Sequence, residues 1–382
     1  MLSKWFRRAY NTLFHPCRSF RKLYQLLAHL SWEHNIFPAI ELAYKRRNRE
    51  DMMRSRCSRQ GVLSVEQERE IDAFFAPYCG RVSHWMHHFY TEKTGVFSIK
   101  YIPDNIHYLY IDRFYNDWRL AAKLDNKCLL AKYFPDTPMP EHVSYRVNGY
   151  WQDAGYHLVD KRQAYQAIIK AGPVVLKAAV DSFGGRGIAF FDGSQQTEAE
   201  LDEIIKNYPS DIVVQKVVRQ SRALAQIHPS SLNTVRLMTF LKPDGSVKVC
   251  SVVLRMGRSG SRVDNASSGG IVAGVAPDGR LKDCAYTKYG AKFEHEHPDT
   301  HVPFHDIVIP HYAELLAQVS RLHQSFPLFR LLSWDMAYNE NDNPLMIEVN
   351  MCYGELDFHQ LTNGPVFGDD TEAILAEVFQ KR

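Results

Sequence analysis

The stretch "LMIEVNMCYGELD", residues 345–357, places Glu348 and Asn350 two positions apart inside an apolar run that ends in a polar, glycine-containing bend. On a β-strand, residues i and i+2 point to the same face of the sheet. That face would carry a carboxylate and an amide, and a buried carboxylate is costly unless a cation or a metal ion accompanies it. The stretch therefore predicts one half of a site whose other half lies elsewhere in the chain.

The segment just upstream supplies a third polar side chain. Residues 331–338 and 345–350 have the pattern of two strands, and "NENDNP" (339–344) between them is rich in turn-forming residues. Antiparallel pairing about a centre near 341–342 places Asp335 opposite residues 347–348. Asp335, Glu348 and Asn350 could then converge as the hard oxygen ligands that Mg²⁺ prefers. The alternative is a capped hairpin with incidental polar groups.

Composition bounds the class of protein. With 382 residues, 45% hydrophobic and 23% charged, the chain is expected to be a soluble globular protein of two or three domains. No segment approaches the roughly 20 apolar residues of a membrane span, and the N-terminus lacks the pattern of a signal peptide. The seven cysteines include no CxxC pair, which argues against a disulfide framework or a zinc site and favours a reducing cytoplasm.

The basic charge is confined to the start of the chain. Residues 1–60 hold 13 Lys and Arg against 4 Asp and Glu, whereas the remaining residues have a net negative charge. Apolar and aromatic residues at helical spacing, with basic residues beside them, predict amphipathic helices within 2–13 and 20–27. These could contact an anionic membrane surface or a partner protein, or pack on the protein's own body. Nucleic acid is a weaker candidate because the basic character does not continue.

Further along the chain the pattern alternates between helices and strands. Residues 64–90 and 106–134 are helical in period, and a change of texture follows at about residue 150. Helices are predicted at 161–171, 198–207 and 314–325. Strands are predicted at 173–179, 187–191, 211–218, 232–241 and 247–255.

A glycine-rich turn follows the first of these strands. In "VVLKAAVDSFGGRGIAFF" (174–191), a strand that carries Lys177 leads into a turn and then a second strand. Glycines let backbone N–H groups approach phosphate oxygens, and a lysine supplies a compact charge for them. The turn is neither a Walker A loop nor a GxGxxG motif. Its residues are Ser182, Phe183, Gly184, Gly185, Arg186 and Gly187.

These motifs, taken in order, resemble a known family. Lys177, the glycine-rich hairpin, "NTVR" (233–236), "DNASSGG" (264–270) and the D…E-x-N hairpin resemble the ATP-grasp superfamily over about residues 100–368. The likeness is to its sugar-transfer-associated members, which are related to α-L-glutamate ligases. It implies an α+β ATP-grasp fold in which two lobes clamp ATP. The expected division is a basic, aromatic-rich helical region (1–95), a first lobe (96–160) and the ATP-binding lobes (161–382).

The resemblance also implies how ATP is held. Lys177 would contact the α-phosphate and adenine region, and the turn at 182–187 would be a flap over the β- and γ-phosphates. Lys127 looks like a second phosphate-binding lysine, with a surface lysine as the alternative. The interlobe strand would hold the adenine edge through Gln215, Lys216 and Val218. Many relatives carry glutamate in that strand, where this chain has Gln215 and Lys216.

The remaining site residues follow from the same resemblance. Arg236 would face the γ-phosphate and the substrate carboxylate, since its planar fork suits either group. Asn265, with Gly269 and Gly270, would lie near the transferred phosphate. Asp335, Glu348 and Asn350 would take the Mg²⁺ positions, with two ions expected. Candidates for holding an anionic substrate, each of which could equally be a solvated surface residue, are Arg255, Arg258, Lys288, His297 and His301.

The function that the resemblance implies is a carboxylate–amine ligase. Such an enzyme uses ATP to form an amide or peptide bond through an acyl phosphate, here between an amino acid and a sugar or glycan precursor. Two alternatives stay open, a kinase that phosphorylates a hydroxyl and a non-catalytic ATP-binding scaffold of a glycan assembly system. No nucleophilic serine or cysteine motif such as G-x-S-x-G is present.

Overall fold

The structure is a computed structural model that describes Ser55, Cys57 and residues 62–180, 187–208, 211–265 and 269–380. The amphipathic helices predicted within 2–13 and 20–27 lie outside the described residues. In the described part of the chain, no helix combines the length and the apolar character needed to cross a membrane.

Six strands from the middle of the chain form the first sheet. Its order is β3-β2-β1-β6-β4-β5, and every pairing is antiparallel. Strands from both sides of residue 160 pair in it, so a lobe boundary there would cut the sheet. We propose instead that residues 141–217 form one lobe. The strands are β1 His142–Val147, β2 Tyr150–Asp153, β3 Leu158–Val159, β4 Pro173–Ala178, β5 Ile188–Asp192 and β6 Ile212–Lys216.

Seven strands form the second sheet, which is also antiparallel. Its order is β11-β10-β9-β8-β7-β12-β13, so the hairpin predicted at 331–350 is its edge, and β7 lies beside it. The strands are β7 Thr234–Leu241, β8 Val247–Met256, β9 Ile271–Val275, β10 Leu281–Tyr286, β11 Lys292–Glu294, β12 Leu331–Tyr338 and β13 Pro344–Asn350.

Helices cover both sheets. The first sheet packs on the helices Lys161–Lys170 and Glu198–Lys206, each of which begins with a capping box, at Asp160 and at Thr197. The helices are α1 Val65–Cys79, α2 Trp85–Thr94, α3 Asp104–Ile106, α4 Asp112–Tyr115, α5 Trp118–Leu124, α6 Leu130–Tyr133, α7 Lys161–Lys170, α8 Glu198–Lys206, α9 Arg222–Ala225, α10 Tyr312–Ser325, α11 Leu356–Asn363 and α12 Thr371–Gln380, with a π-helical segment His107–Ile111 between α3 and α4.

The two faces of the second sheet differ in chemistry. On one face Leu237, Leu254 and Trp334 pack in a core that includes α10. On the other, Met238 and Leu331 pack against the helices of residues 65–115 and against α11 and α12. Arg236 is two residues from Met238, and Asp335 is four residues from Leu331, so strand alternation puts both charged side chains on this second face. One end of the face is therefore core, and the other end carries charged side chains.

Asn116 joins the early helices to the second sheet. Its amide nitrogen lies 2.9 Å from the Asp112 carboxylate, 2.7 Å from the Leu331 carbonyl and 2.9 Å from the Met351 carbonyl. Its amide oxygen accepts from the backbone N–H groups of Arg330 and Leu331, both at 3.1 Å. The side chain is 2% exposed, so these bonds satisfy an amide that water does not reach.

Candidate functional site

The centre of the charged end is an arginine–aspartate pair. Strand register places Asp335 between Arg236 on β7 and Glu348 on β13. Arg236 donates from Nε to Asp335 Oδ1 and from Nη2 to Oδ2, both at 2.6 Å. The guanidinium fork thus grips both carboxylate oxygens, which is the strongest geometry for such a pair. Both side chains are buried.

A second arginine extends this pair into a row of alternating charge. Arg255 donates from Nη1 to Asp335 Oδ2 at 3.2 Å, and its Nη2 lies 3.6 Å from Asp264 Oδ1. Asp264 in turn accepts from the backbone N–H of Thr234 at 3.1 Å and from the Thr234 hydroxyl. Burial alone would raise the pKa of Asp335, but Arg236 and Arg255 hold that pKa below its ordinary value. Burial raises the pKa of Asp264.

Glu355 completes the row at its other end. Arg236 donates from Nη1 to its carboxylate. Burial opposes the charge of Glu355, but Arg236, Arg255 and Lys288 together lower its pKa. Lys288, a candidate for holding an anionic substrate, therefore lies within electrostatic reach of the cluster.

Lys127 connects this cluster to the first sheet. Its ammonium lies 2.9 Å from Glu348 Oε1. Its backbone N–H donates to the carbonyl of Ala179, just beyond the end of β4, at 2.9 Å. Burial opposes the charge of Lys127, but Glu348 and other nearby carboxylates raise its pKa above the ordinary value. The structure thus brings together Lys127 and Glu348, two residues predicted for different roles.

Lys177 belongs to a series of hydrogen-bonded polar side chains on the first sheet. It donates to Gln215 Oε1 at 2.9 Å, and Gln215 Nε2 lies 3.0 Å from Nε2 of His142. Burial, and then the charge of Lys127, lower the pKa of Lys177 to about 8. Burial lowers the pKa of His142 to about 4, so its neutral ring can accept from the amide. Gln215 therefore orients Lys177, a role that a glutamate would perform with a charge.

The backbone after β6 connects the two sheets. The N–H of Lys216 donates to Glu141 O at 2.8 Å, and the N–H of Val217 donates to Pro173 O at 3.0 Å. The Lys216 side chain pairs with Glu141 at the surface. Val218 follows, and the N–H of Ser221 then donates to Tyr338 O on β12 at 3.0 Å. Lys216 and Val218 thus lie on a connection that crosses from one sheet to the other.

Other predicted residues lie near the cluster or outside the described part. The carbonyl of Asn265, next to Asp264, accepts from the N–H of Gly270 at 3.1 Å. Asn350 donates to the carbonyl of Ser333 at 3.5 Å. Gly187 ends the predicted flap with φ 69°, and its carbonyl accepts from the N–H of Ala178 at 2.8 Å. The rest of the flap, which lies outside the described residues, comprises Ser182, Phe183, Gly184, Gly185 and Arg186.

Three of the candidate anion-binding residues have other contacts. His297 is buried, and its Nε2 lies 2.9 Å from the carbonyl of Gly257. His301 lies at the surface, where it pairs with Glu296 at 2.6 Å. The Arg258 guanidinium lies over the Phe293 ring at 5.3 Å. By contrast, Arg255 belongs to the charged cluster, and the charge of Lys288 acts on Glu355.

The oxygen donors suit a hard divalent cation in part. Asp335 and Glu348 are direct cross-strand neighbours, and Asn350 follows Glu348 on the same face. However, Asp335 is held by two arginines and Glu348 by Lys127. Within the described ranges, no group of three or more His, Cys, Asp or Glu side chains is arranged to hold a metal ion. Glu348 is the carboxylate that could turn to a cation most easily, since it is 22% exposed and its partner is one lysine.

The sequence model of a family described as sugar-transfer associated ATP-grasp matches residues 107–375. The chain belongs to the sugar-transfer associated ATP-grasp family. The match includes every strand of both sheets, so the ATP-grasp fold expected from the sequence is confirmed, and helices α1 to α3 precede the matched segment. None of the curated proteins searched matches the chain.

Solved structures show a wider, distant similarity for this ATP-grasp protein. An N5-carboxyaminoimidazole synthetase from Staphylococcus aureus with ADP is 13% identical, with TM-score 0.37, covering 64% of this chain and 52% of that one. D-alanyl-alanine synthetase A from Vibrio cholerae is 13% identical, with TM-score 0.40, covering 67% of this chain and 64% of that one. The biotin carboxylase domain of Hydrogenobacter thermophilus 2-oxoglutarate carboxylase, with ADP, magnesium and bicarbonate, is 12% identical. Its TM-score is 0.43, and the match covers 83% of this chain and 57% of that one. The chain thus spans 52% to 64% of these structures, and the family assignment does not rest on them.

Three members of the site were not predicted from the sequence. Asp264 lies next to Asn265, which was chosen in its place, and Thr234 lies in the "NTVR" motif beside Arg236. Glu355 lies within the stretch quoted first, directly after Gly354. Each lies within a motif or stretch that the sequence had singled out, and that position was the only signal available.

Proposed function

We propose that this ATP-grasp protein is an ATP-dependent ligase that activates a carboxylate and joins it to an amine. The observation that carries the proposal is the convergence of Lys127, next to the first sheet, with the carboxylates and arginines of the second sheet. An anionic nucleotide and an anionic substrate both need such cations, and the fold of the family brings two lobes together around them. A surface ion pair would not need two buried arginines on one buried carboxylate.

Lys177 and Lys127 would hold the phosphates of ATP, with the turn at 182–187 above them. The segment 215–218 would contact the adenine edge. Lys127 would exchange Glu348 for a phosphate oxygen, which would leave Glu348 able to hold Mg²⁺ with Asp335 and Asn350. Bound Mg²⁺ would neutralise charge on the phosphates, the main requirement of phosphoryl transfer.

The reaction would proceed in two steps. A substrate carboxylate oxygen attacks the γ-phosphorus, the bond from that phosphorus to the bridging oxygen breaks, and ADP leaves with the electron pair. The amine then attacks the carbonyl carbon of the acyl phosphate, and phosphate leaves as the amide forms and the nitrogen loses a proton. Arg236, Arg255 and Lys288 would hold the carboxylate and stabilise the negative charge that develops.

We further propose a substrate from glycan synthesis. The family's description links it to sugar transfer, and the basic residues 1–60 would suit an enzyme that works at an anionic membrane surface in the cytoplasm. An amino acid joined to a uronic acid would supply both the carboxylate and the amine.

The test is to measure ADP and phosphate release separately, with Mg²⁺-ATP and a panel of amino acids and uronic acids. We expect equal amounts of both products, only when a carboxylate and an amine are present, and their loss in Lys177→Met. ADP without free phosphate, with phosphate recovered on an acceptor hydroxyl, would make the protein a kinase. Nucleotide binding without turnover would favour a scaffold, and absence of nucleotide binding would overturn the proposal.

The lowered pKa of Lys177 predicts how nucleotide affinity depends on pH. Lys177 is protonated below its pKa of about 8 and loses its charge above it. Because the phosphates bind the charged form, affinity for Mg²⁺-ADP should be highest below pH 8 and fall above it, by at most about tenfold per pH unit. Calorimetric titration across this range measures the profile. A flat profile in the native protein would contradict the assignment of Lys177 to a phosphate.

A further inference from the structure

Glu355 differs from the other carboxylates of the charged row. Asp335 is 6% exposed and gripped at both oxygens, whereas the side chain of Glu355 is 38% exposed although it bonds the buried Arg236. A carboxylate that is already partly hydrated loses little when it turns fully to water. Glu355 is therefore the member of the row that can leave at the lowest cost.

The backbone around Glu355 is held in an unusual shape. Tyr353 and Glu355 have φ of 59° and 57°, in the left-handed region that costs non-glycine residues energy. A Cβ on Gly354 between them would lie 2.2 Å from Ser333 Oγ, so the loop passes directly over β12. This shape aims Glu355 at Arg236, and strain of this kind concentrates at functional sites.

Glu355 occupies the N-cap position of α11 but does not cap that helix with its side chain. It is the residue before the first turn of α11, yet its side chain makes no capping hydrogen bond to the described first turn of that helix. The carboxylate reaches across to Arg236 instead. The Glu355 side chain therefore binds Arg236 rather than capping its own helix.

The cations around Glu355 have capacity for another anion. Arg236, Arg255 and Lys288 all favour its charged form. Arg255 is 6% exposed, and its Nε has no hydrogen-bond partner among the described residues. A buried N–H without a partner is costly, so a bound oxyanion would satisfy it.

We propose that Glu355 is an internal stand-in for the substrate carboxylate, and that Arg236 and Arg255 form the carboxylate site that opens when Glu355 turns away. This inference rests on the proposed ligase function. The exchange replaces one carboxylate by another on the same guanidinium group, so the hydrogen bond to Arg236 is conserved. Neutral analogues, which offer no carboxylate, would not displace Glu355, and the site would thereby select charged substrates.

The test is to titrate the minimal carboxylate acetate, and D-glucuronate, into the protein saturated with Mg²⁺-ADP. Removing the internal competitor with Glu355→Gln should tighten binding of both anions by about tenfold, as expected for loss of one partly exposed ion pair. Glu340→Gln is the matched control, since Glu340 is exposed and lies in the turn between β12 and β13. Its carboxylate is 3.8 Å from the Arg219 guanidinium. It should leave both affinities unchanged. Glu355→Asn, whose side chain tolerates positive φ, serves if the glutamine variant does not fold.

Three results would overturn the assignment. Unchanged acetate and glucuronate affinity in both Glu355 variants would show that Glu355 does not compete for the site. Tighter binding of inorganic phosphate alone would assign the site to the phosphoryl group. A raised KM for the amine would make Glu355 a ligand of the amine. A native protein that binds no Mg²⁺-ADP would refute the proposed function, and acetate titration without nucleotide would still report on Glu355.

Discussion

Replacing Asp335 with asparagine is expected to lower the free energy of unfolding by about 3–5 kcal/mol, the usual cost of breaking one side of a buried ion pair. Asp335 holds the forks of Arg236 and Arg255 at once. Asparagine has almost the same shape, so the loss would come from two buried guanidinium groups that no longer share this carboxylate. Arg236 would keep only Glu355 as a counter-charge, and Arg255 only Asp264. Urea denaturation of native and variant protein, followed by circular dichroism, measures the difference.

Two further variants separate the charge from the shape. Glu348→Gln removes a carboxylate that is 22% exposed and paired with one lysine, so its effect on stability should be much smaller. Replacing the pair together, as Arg236→Met with Asp335→Leu, should recover only part of the lost stability. The double change removes the charge of Arg236, but Arg255 still loses Asp335 and Glu355 loses Arg236. Equal losses for Asp335→Asn and Glu348→Gln would show that the row of charge does not support the fold as described.

Replacing Lys177 with methionine is expected to lower kcat/KM for ATP on the order of 100-fold, as for loss of a buried hydrogen bond to a charged group. Methionine has a similar length, but it cannot bond Gln215 or a phosphate oxygen. The measurement is ADP release as a function of ATP concentration. Lys170→Met, on the exposed end of α7, is the matched control and should change kcat/KM by less than about twofold.

The pH profile distinguishes a direct from an indirect role of Lys177. If Lys177 contacts phosphate, its methionine variant should lose the fall in nucleotide affinity above pH 8 together with the affinity itself. A variant with weakened binding and an unchanged pH profile would assign the titration to another group, and Lys177 would then only support the sheet.

The hairpin at 331–350 could be predicted because its information is local. Two mostly apolar runs flank a turn-rich linker, so the pairing of Asp335 with Glu348 followed from counting residues on either side of the turn. Strands β4 to β8 were found within two residues of their bounds for the same reason. Of the six strands that were not predicted, three lacked that signal, since β2, β3 and β11 have only two to four residues. Over so few positions, an alternation of apolar and polar residues cannot be distinguished from a chance pattern.

The partners of the charged residues depend on sheet order, which the sequence does not reveal. Arg236 meets Asp335 because β12, almost 100 residues later in the chain, pairs with β7. Lys127 meets Glu348 across an even longer separation. The structure brings these residues together as a charged cluster, and their roles as ligands of metal and phosphate stay predictions. In the structure these residues neutralise one another.

Asn116 has a consequence for the boundaries of the folding unit. Its five contacts bind the early helices to β12 and to the loop after β13, and the apolar core beside it combines residues of α1 with residues of β7 and α12. A chain that began after residue 116 would expose this core and leave the Leu331 and Met351 carbonyls without the Asn116 donor. The helices before residue 107 are thus no detachable appendage, and they should melt in one cooperative transition with the sheet that carries the charged row.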